Sequence, residues 1–142
     1  MVPAELGIIS RPFYLNMIGE KQKKKIETEV GILQEQLNLQ LWKISVEFLN
    51  QNDPQDEKMY AEMVANAPYL EAKIRIYPYF FKNKEWEIQR EMLIHEMCHV
   101  VLAPFKFIAE NRFTNRDEFS DVNEKITTHI ERIILKHVKI SK

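Results

Sequence analysis

The stretch from Leu93 to Leu102, LIHEMCHVVL, is apolar except for His95, Glu96 and His99, and it constrains the chain more than any other feature. With His95 at the zero of a helical wheel, Ile88 and Leu102 fall near it, Leu93 and Val100 beyond, and Ile94 and Val101 opposite. A helix apolar on every side is buried, and polar groups inside a buried helix need partners. Residues i and i+4 of a helix lie about 40° apart on one face. His95 and His99 can therefore aim two ring nitrogens at a point roughly 2 Å from each, as a zinc ion requires. Glu96 sits about 100° further round, suited to meet a water on the ion rather than the ion itself. This is the mechanical content of the H-E-x-x-H spacing. The competing reading is two core histidines bonded to backbone carbonyls, with Glu96 reaching a lysine.

A catalytic zinc site usually has three protein ligands and one open position. The remaining histidines are His129 and His137, and the last helical segment offers Asp117, Glu118, Asp121, Glu124 and Glu131. On the wheel of that segment Glu124 lies at the edge of the apolar stripe of Phe119, Ile126, Ile130, Ile133 and Ile134. Glu131 shares its side two turns later, Asp121 lies between, and Glu118 and His129 fall on the expected water face. Glu124 is the expected third ligand, with Glu131, Asp121 and Glu118 as competitors. An ordinary solvated helix glutamate is the alternative for Glu124.

The 142 residues suffice for one domain, 1–142, with its own core, and 45% hydrophobic with 29% charged residues is a globular composition. Ile26, Val30, Leu33 and Leu37 keep helical spacing within a helix expected over 20–38, after a turn-rich start with Pro3, Gly7 and Pro12. Residues 41–49 alternate Trp42, Ile44, Val46 and Phe48 against Lys43, Ser45 and Glu47, as a strand does. Residues 69–78 alternate Ala72, Ile74 and Ile76 against Lys73 and Arg75, and 58–67 reads more weakly as a strand between them. The motif helix is expected over 83–103, stopped by Pro104, with 104–115 irregular. A final helix is expected from Asp117 to about Lys139, with Thr114 or Asn115 as N-cap. The fold class is α+β: an N-terminal helix, a small mixed sheet of about three strands, the motif helix and a C-terminal ligand helix.

The lone Cys98 makes no internal disulfide and reads as a small core residue. The N-terminus lacks a signal-peptide pattern, and no run of 18 apolar residues suggests a membrane span, so a soluble cytoplasmic protein without membrane partners is expected. The basic run KQKKK at 21–25 reads as a solvated helix face, with nucleic acid an unlikelier partner. The oligomeric state is not legible.

HEMCH, followed by a helix bearing NEKIT, resembles the gluzincin clan of zinc metallopeptidases over residues 93–99 and 123–128, with a looser likeness in the strand AKIRIYP. The resemblance implies a minimal, stand-alone zincin-like domain. In it His95, His99 and Glu124 bind Zn²⁺, Glu96 is the catalytic base, and an edge strand pairs with extended peptide or protein substrate. Thr128 stands where the clan usually has an acid, and no large substrate domain follows. The implied activity is peptide-bond hydrolysis by a metal-activated water. An oxyanion partner would be sought among Tyr69, Tyr77, Tyr79 and His129. Two alternatives are a zinc-binding interaction module without proteolysis, favoured by a fourth ligand such as Asp121 or His129, and a SprT-like nucleic-acid-associated metalloprotein.

Overall fold

The computed structural model describes residues 2–112 and 116–137, and along them three helices and three strands form a small α+β fold. Helix α1 spans Val2–Gln36, followed by strands β1 (Lys43–Phe48), β2 (Ala61–Asn66) and β3 (Glu71–Ile76). Helix α2 spans Trp86–Arg112 and helix α3 spans Arg116–His137. The sheet order is β1-β3-β2, with β1 parallel and β2 antiparallel to the central β3.

The strands form where the side chains alternate. In β3, Ala72, Ile74 and Ile76 are buried while Glu71 and Lys73 face water. On the outer face Lys73 pairs with Glu47 at 3.0 Å and Arg75 with Glu62 at 2.7 Å. The inner face meets Leu93, Ile94, Met97 and Val100 of α2, and Ile26, Val30 and Leu33 of α1 close the same core. Each of these fully buried aliphatics contributes roughly 1.5–3 kcal/mol through its removal from water. A buried ion pair, Arg90 Nε to Glu29 Oε1 at 2.7 Å, fixes α2 against α1. Helix α1 ends through Asn38 in the left-handed conformation, φ 56°, with Leu39 N donating to Gln34 O at 2.9 Å.

Four expectations need correction. Helix α1 begins at Val2 rather than near residue 20, running through Pro3 and Pro12. Pro3 suits the first turn, whose N–H groups have no helical partners. Helix α2 does not stop at Pro104 but continues to Arg112. The lost backbone bond is outweighed by packing: Ala109, beyond the proline, is buried, and α2 lies along α3. Helix α2 is not apolar-and-buried on every side either, since Val101 is exposed. Finally, the strand AKIRIYP is central, and the edge strand lying along α2 is β2. The proposed caps Thr114 and Asn115 lie outside the described residues. By length and composition α2 could cross a membrane, but its apolar residues build this core.

Candidate metal centre

Helix α2 presents His95 and His99 on one face, their ring centroids 4.9 Å apart and their planes at 82°. Helix α3 lies across that face and brings Glu124 between them. Glu124 Oε1 is 2.7 Å from His95 Nε2, and its Oε2 is 3.3 Å from His99 Nε2. The three ligand atoms lie within 4.8 Å of one another. Four donors around zinc at about 2.0–2.2 Å stand roughly 3.3–3.5 Å apart, so small side-chain rotations would close the set on an ion. Two imidazoles and a carboxylate are also the right chemistry for it, and among the described residues the group has these three members. Asp121 and His129 are exposed and outside it, and nothing is described of the Glu118 side chain.

Glu131 takes another place. Its Oε2 is 2.6 Å from His95 Nδ1, on the side of the ring away from Nε2, so it backs His95 and stands outside the group that could hold an ion. That hydrogen bond, opposed by burial and reinforced by the charges of Glu96, Glu131 and Glu124, pushes the His95 imidazole up to about 9. When protonated at both nitrogens, the ring donates to Glu131 from Nδ1 and to Glu124 from Nε2. Burial holds His99 below the usual histidine range despite Glu124. Thr127 Oγ1, itself fully buried, donates to Asn123 O at 2.8 Å and so turns a lone pair to His99 Nδ1 at 3.4 Å.

Glu96 is buried beneath β2, where the Met63 backbone N–H donates to it. Burial pushes its carboxyl up to about 8; His95 works against this, while Glu124 and Glu62 add to it and the Met63 bond opposes it. Such a carboxyl, poised near neutrality beside a ligand set, is matched to proton transfer. Cys98 is buried, as expected of a core residue.

The tyrosines sort differently from expectation. The Tyr77 hydroxyl is engaged with Glu62 at 2.8 Å and Asp53 at 3.3 Å, and Tyr69 is exposed. Lys82 covers the Tyr79 ring at 5.2 Å. Among the described tyrosines, Tyr60, immediately before β2, feels the charges of the site: burial first, then Glu96, Glu131 and Glu124, push its hydroxyl up to about 12. It is thus a neutral O–H donor at pH 7. Its sequence context, the ambiguous segment 58–67, gave no sign of this, because only the strand order sets β2 beside α2.

A concavity of about 570 Å³, lined by residues such as Lys43, Glu47, Lys73 and Arg75, lies on the outer face of the sheet and includes none of the site residues. The lysines of the basic run are partly engaged in packing, Lys25 over Trp86 at 4.2 Å and Lys23 over Phe48 at 5.4 Å. No family model, curated protein or solved structure matches the chain.

Proposed function

We propose that this chain is a zinc-dependent peptidase of the gluzincin type, with His95, His99 and Glu124 as ligands and Glu96 as general base. The observation that carries the reading is the convergence of both His Nε2 atoms on one Glu124 carboxylate, with Glu96 buried on the same helix. Zinc held there would lower the pKa of a water towards 7 and polarise a scissile carbonyl. Glu96 takes the proton of the attacking water on its carboxylate and delivers it to the departing amine. Tyr60, a neutral donor within electrostatic reach of Glu96, is the side chain best suited to meet charge developing on the carbonyl oxygen. Strand β2 has one edge paired with β3 and the other free of sheet partners among the described residues, which suits it to hold an extended peptide.

The test is hydrolysis of fluorescently labelled denatured casein and of a mixed fluorogenic peptide library by zinc-loaded protein. Cleavage that is lost on chelation and in Glu96→Gln supports the reading. A zinc-loaded wild type that cleaves neither substrate counts against peptidase chemistry and leaves a metal-binding module.

A further inference from the structure

Helix α1 carries a charged feature that the metal centre does not use. Lys21, Lys24, Lys25 and Thr28 follow one another at i, i+3, i+4 and i+7, so they share one face of the helix, and Ile32 continues it. That face lines a concavity of about 300 Å³, walled on the α2 side by Trp86, the first residue of that helix. The concavity shares no residue with the metal centre and is independent of the peptidase reading. Its positive charge is not neutralised from within. Glu29, also in the lining, is buried against Arg90 at 2.7 Å, so its charge is already met. Among the described residues no carboxylate pairs with Lys21, Lys24 or Lys25, not even Glu20 and Glu27, which the helix places beside Lys24. Lysines three and four apart on a helix repel one another, and here nothing offsets the repulsion.

We propose that this concavity binds a small phosphate monoester. A phosphoryl group brings nearly two negative charges at neutral pH and three strong acceptor oxygens, which suits three ammonium groups lining one hollow. Lysine meets phosphate as a point charge, so the exposed Lys21 and Lys24 can close on it from several directions. Lys25 is already restrained, its Nζ 4.2 Å over the Trp86 ring. The indole and Ile32 offer apolar surface to the organic part of the ligand. The volume lies at the low end of the range for small-molecule sites, room for one phosphoryl group and a modest organic portion. A nucleic-acid strand would call for cations along a track instead. Lys23, within the same basic run, is turned to Phe48 at 5.4 Å, so the run gathers charge at the hollow and does not extend it along α1.

The test is titration of the full chain with phenyl phosphate, inorganic phosphate and benzoate, followed by amide and indole shifts in nitrogen-15 spectra. Chelation beforehand removes any metal that could itself hold phosphate. Phenyl phosphate should give saturable shifts confined to residues 21–32 and the start of α2, the Trp86 indole included. It should bind more tightly than inorganic phosphate, which lacks the ring, and than benzoate, which lacks the second charge. Lys21→Ala and Lys24→Ala should each weaken it by roughly 2- to 5-fold, as loss of an exposed charge contact does, and the double variant by more. Lys58→Ala, outside the hollow, should leave binding unchanged, and unaltered shifts across the sheet will show that the variants fold. Shifts that never saturate, that spread over the other surface lysines, or that persist in the double variant would overturn the site. Benzoate binding as tightly as phenyl phosphate would overturn its phosphate character. Tighter binding of a single-stranded oligothymidylate would overturn the small-ligand reading in favour of a nucleic-acid surface.

Discussion

His95 meets Glu124 through one ring nitrogen and Glu131 through the other, so one residue connects the ligand set to its support. Glu96, next in sequence, points beneath β2 and is free of the ligand triad. Binding and chemistry are thus proposed for adjacent positions, His95 and Glu96. Glu96→Gln should retain zinc yet lose about 10²–10⁴-fold in kcat, measured on whichever peptide the wild type cleaves. Retained activity in this variant would remove Glu96 from the role of base. Tyr60→Phe should lower kcat by about 10²-fold or more with little change in KM, as loss of an oxyanion donor does. A change in KM alone would mark Tyr60 as a substrate contact. The H-E-x-x-H spacing made His95, Glu96 and His99 legible from sequence, because i and i+4 on a helix fix their relation locally. Glu124 was legible less securely, since its wheel position was shared with Glu131. The two could be told apart only when the crossing of α3 over α2 set Glu124 at the Nε2 atoms and Glu131 at Nδ1. Tyr60 was not legible at all, because its relevance comes from strand order.

The elements read from local pattern came through where periodicity was strong. The alternation in β3 and the spacing of Ile26, Val30 and Leu33 appear in the structure as buried faces, and that in β1 as a half-buried one, Ile44, Val46 and Phe48 packing against the core. The misreadings cluster at prolines. Pro104 carries the local signal of a helix stop, but the segment beyond it packs through Ala109 along α3, and tertiary contact overrides the stop. Helix α3 has a further property at this scale. Its buried described side chains, Asn123 and Thr127, are polar, while Ile126 and Ile133 are exposed and Ile130, Ile134 and Leu135 only half-buried. Among the described residues, the side chains that pair with the two histidines, Glu124, Thr127 and Glu131, come from this helix, so zinc binding and docking of α3 should be coupled. Amide exchange should slow across Arg116–His137 on zinc loading by more than it does across the sheet. Equal protection with and without zinc would show that α3 docks by packing alone. At the α1–α2 contact, Arg90→Ala removes the guanidinium beside the buried Glu29 and should cost about 3–5 kcal/mol by chemical denaturation. A cost below about 1 kcal/mol would show that this pair is not holding the helices.

For the molecule as a whole, metal-free stability and the stabilisation that zinc brings should run in opposite directions with pH. In metal-free protein the His95 value is raised from 6.5 to about 9, so its contribution is complete below pH 6.5 and disappears as pH rises through 9. Glu96, raised from 4.5 to about 8, loses its contribution in the same direction between those values. His99, lowered by burial, acts the other way only as pH falls below 6.5. The melting temperature of metal-free protein should thus fall by several degrees from pH 6.5 to 9. Zinc binds the deprotonated rings, so the stabilisation it brings should grow over the same range. A metal-free melting temperature independent of pH there would contradict the arrangement around His95. The central claim, a three-ligand zinc site on α2 and α3, is tested most directly by zinc content per chain. The measurement is elemental analysis of wild type, Glu124→Ala and Glu96→Gln, supplied with zinc and freed of excess. One zinc is expected in wild type and in Glu96→Gln, and loss of zinc in Glu124→Ala. Zinc-free wild type, or full zinc in Glu124→Ala, would contradict it.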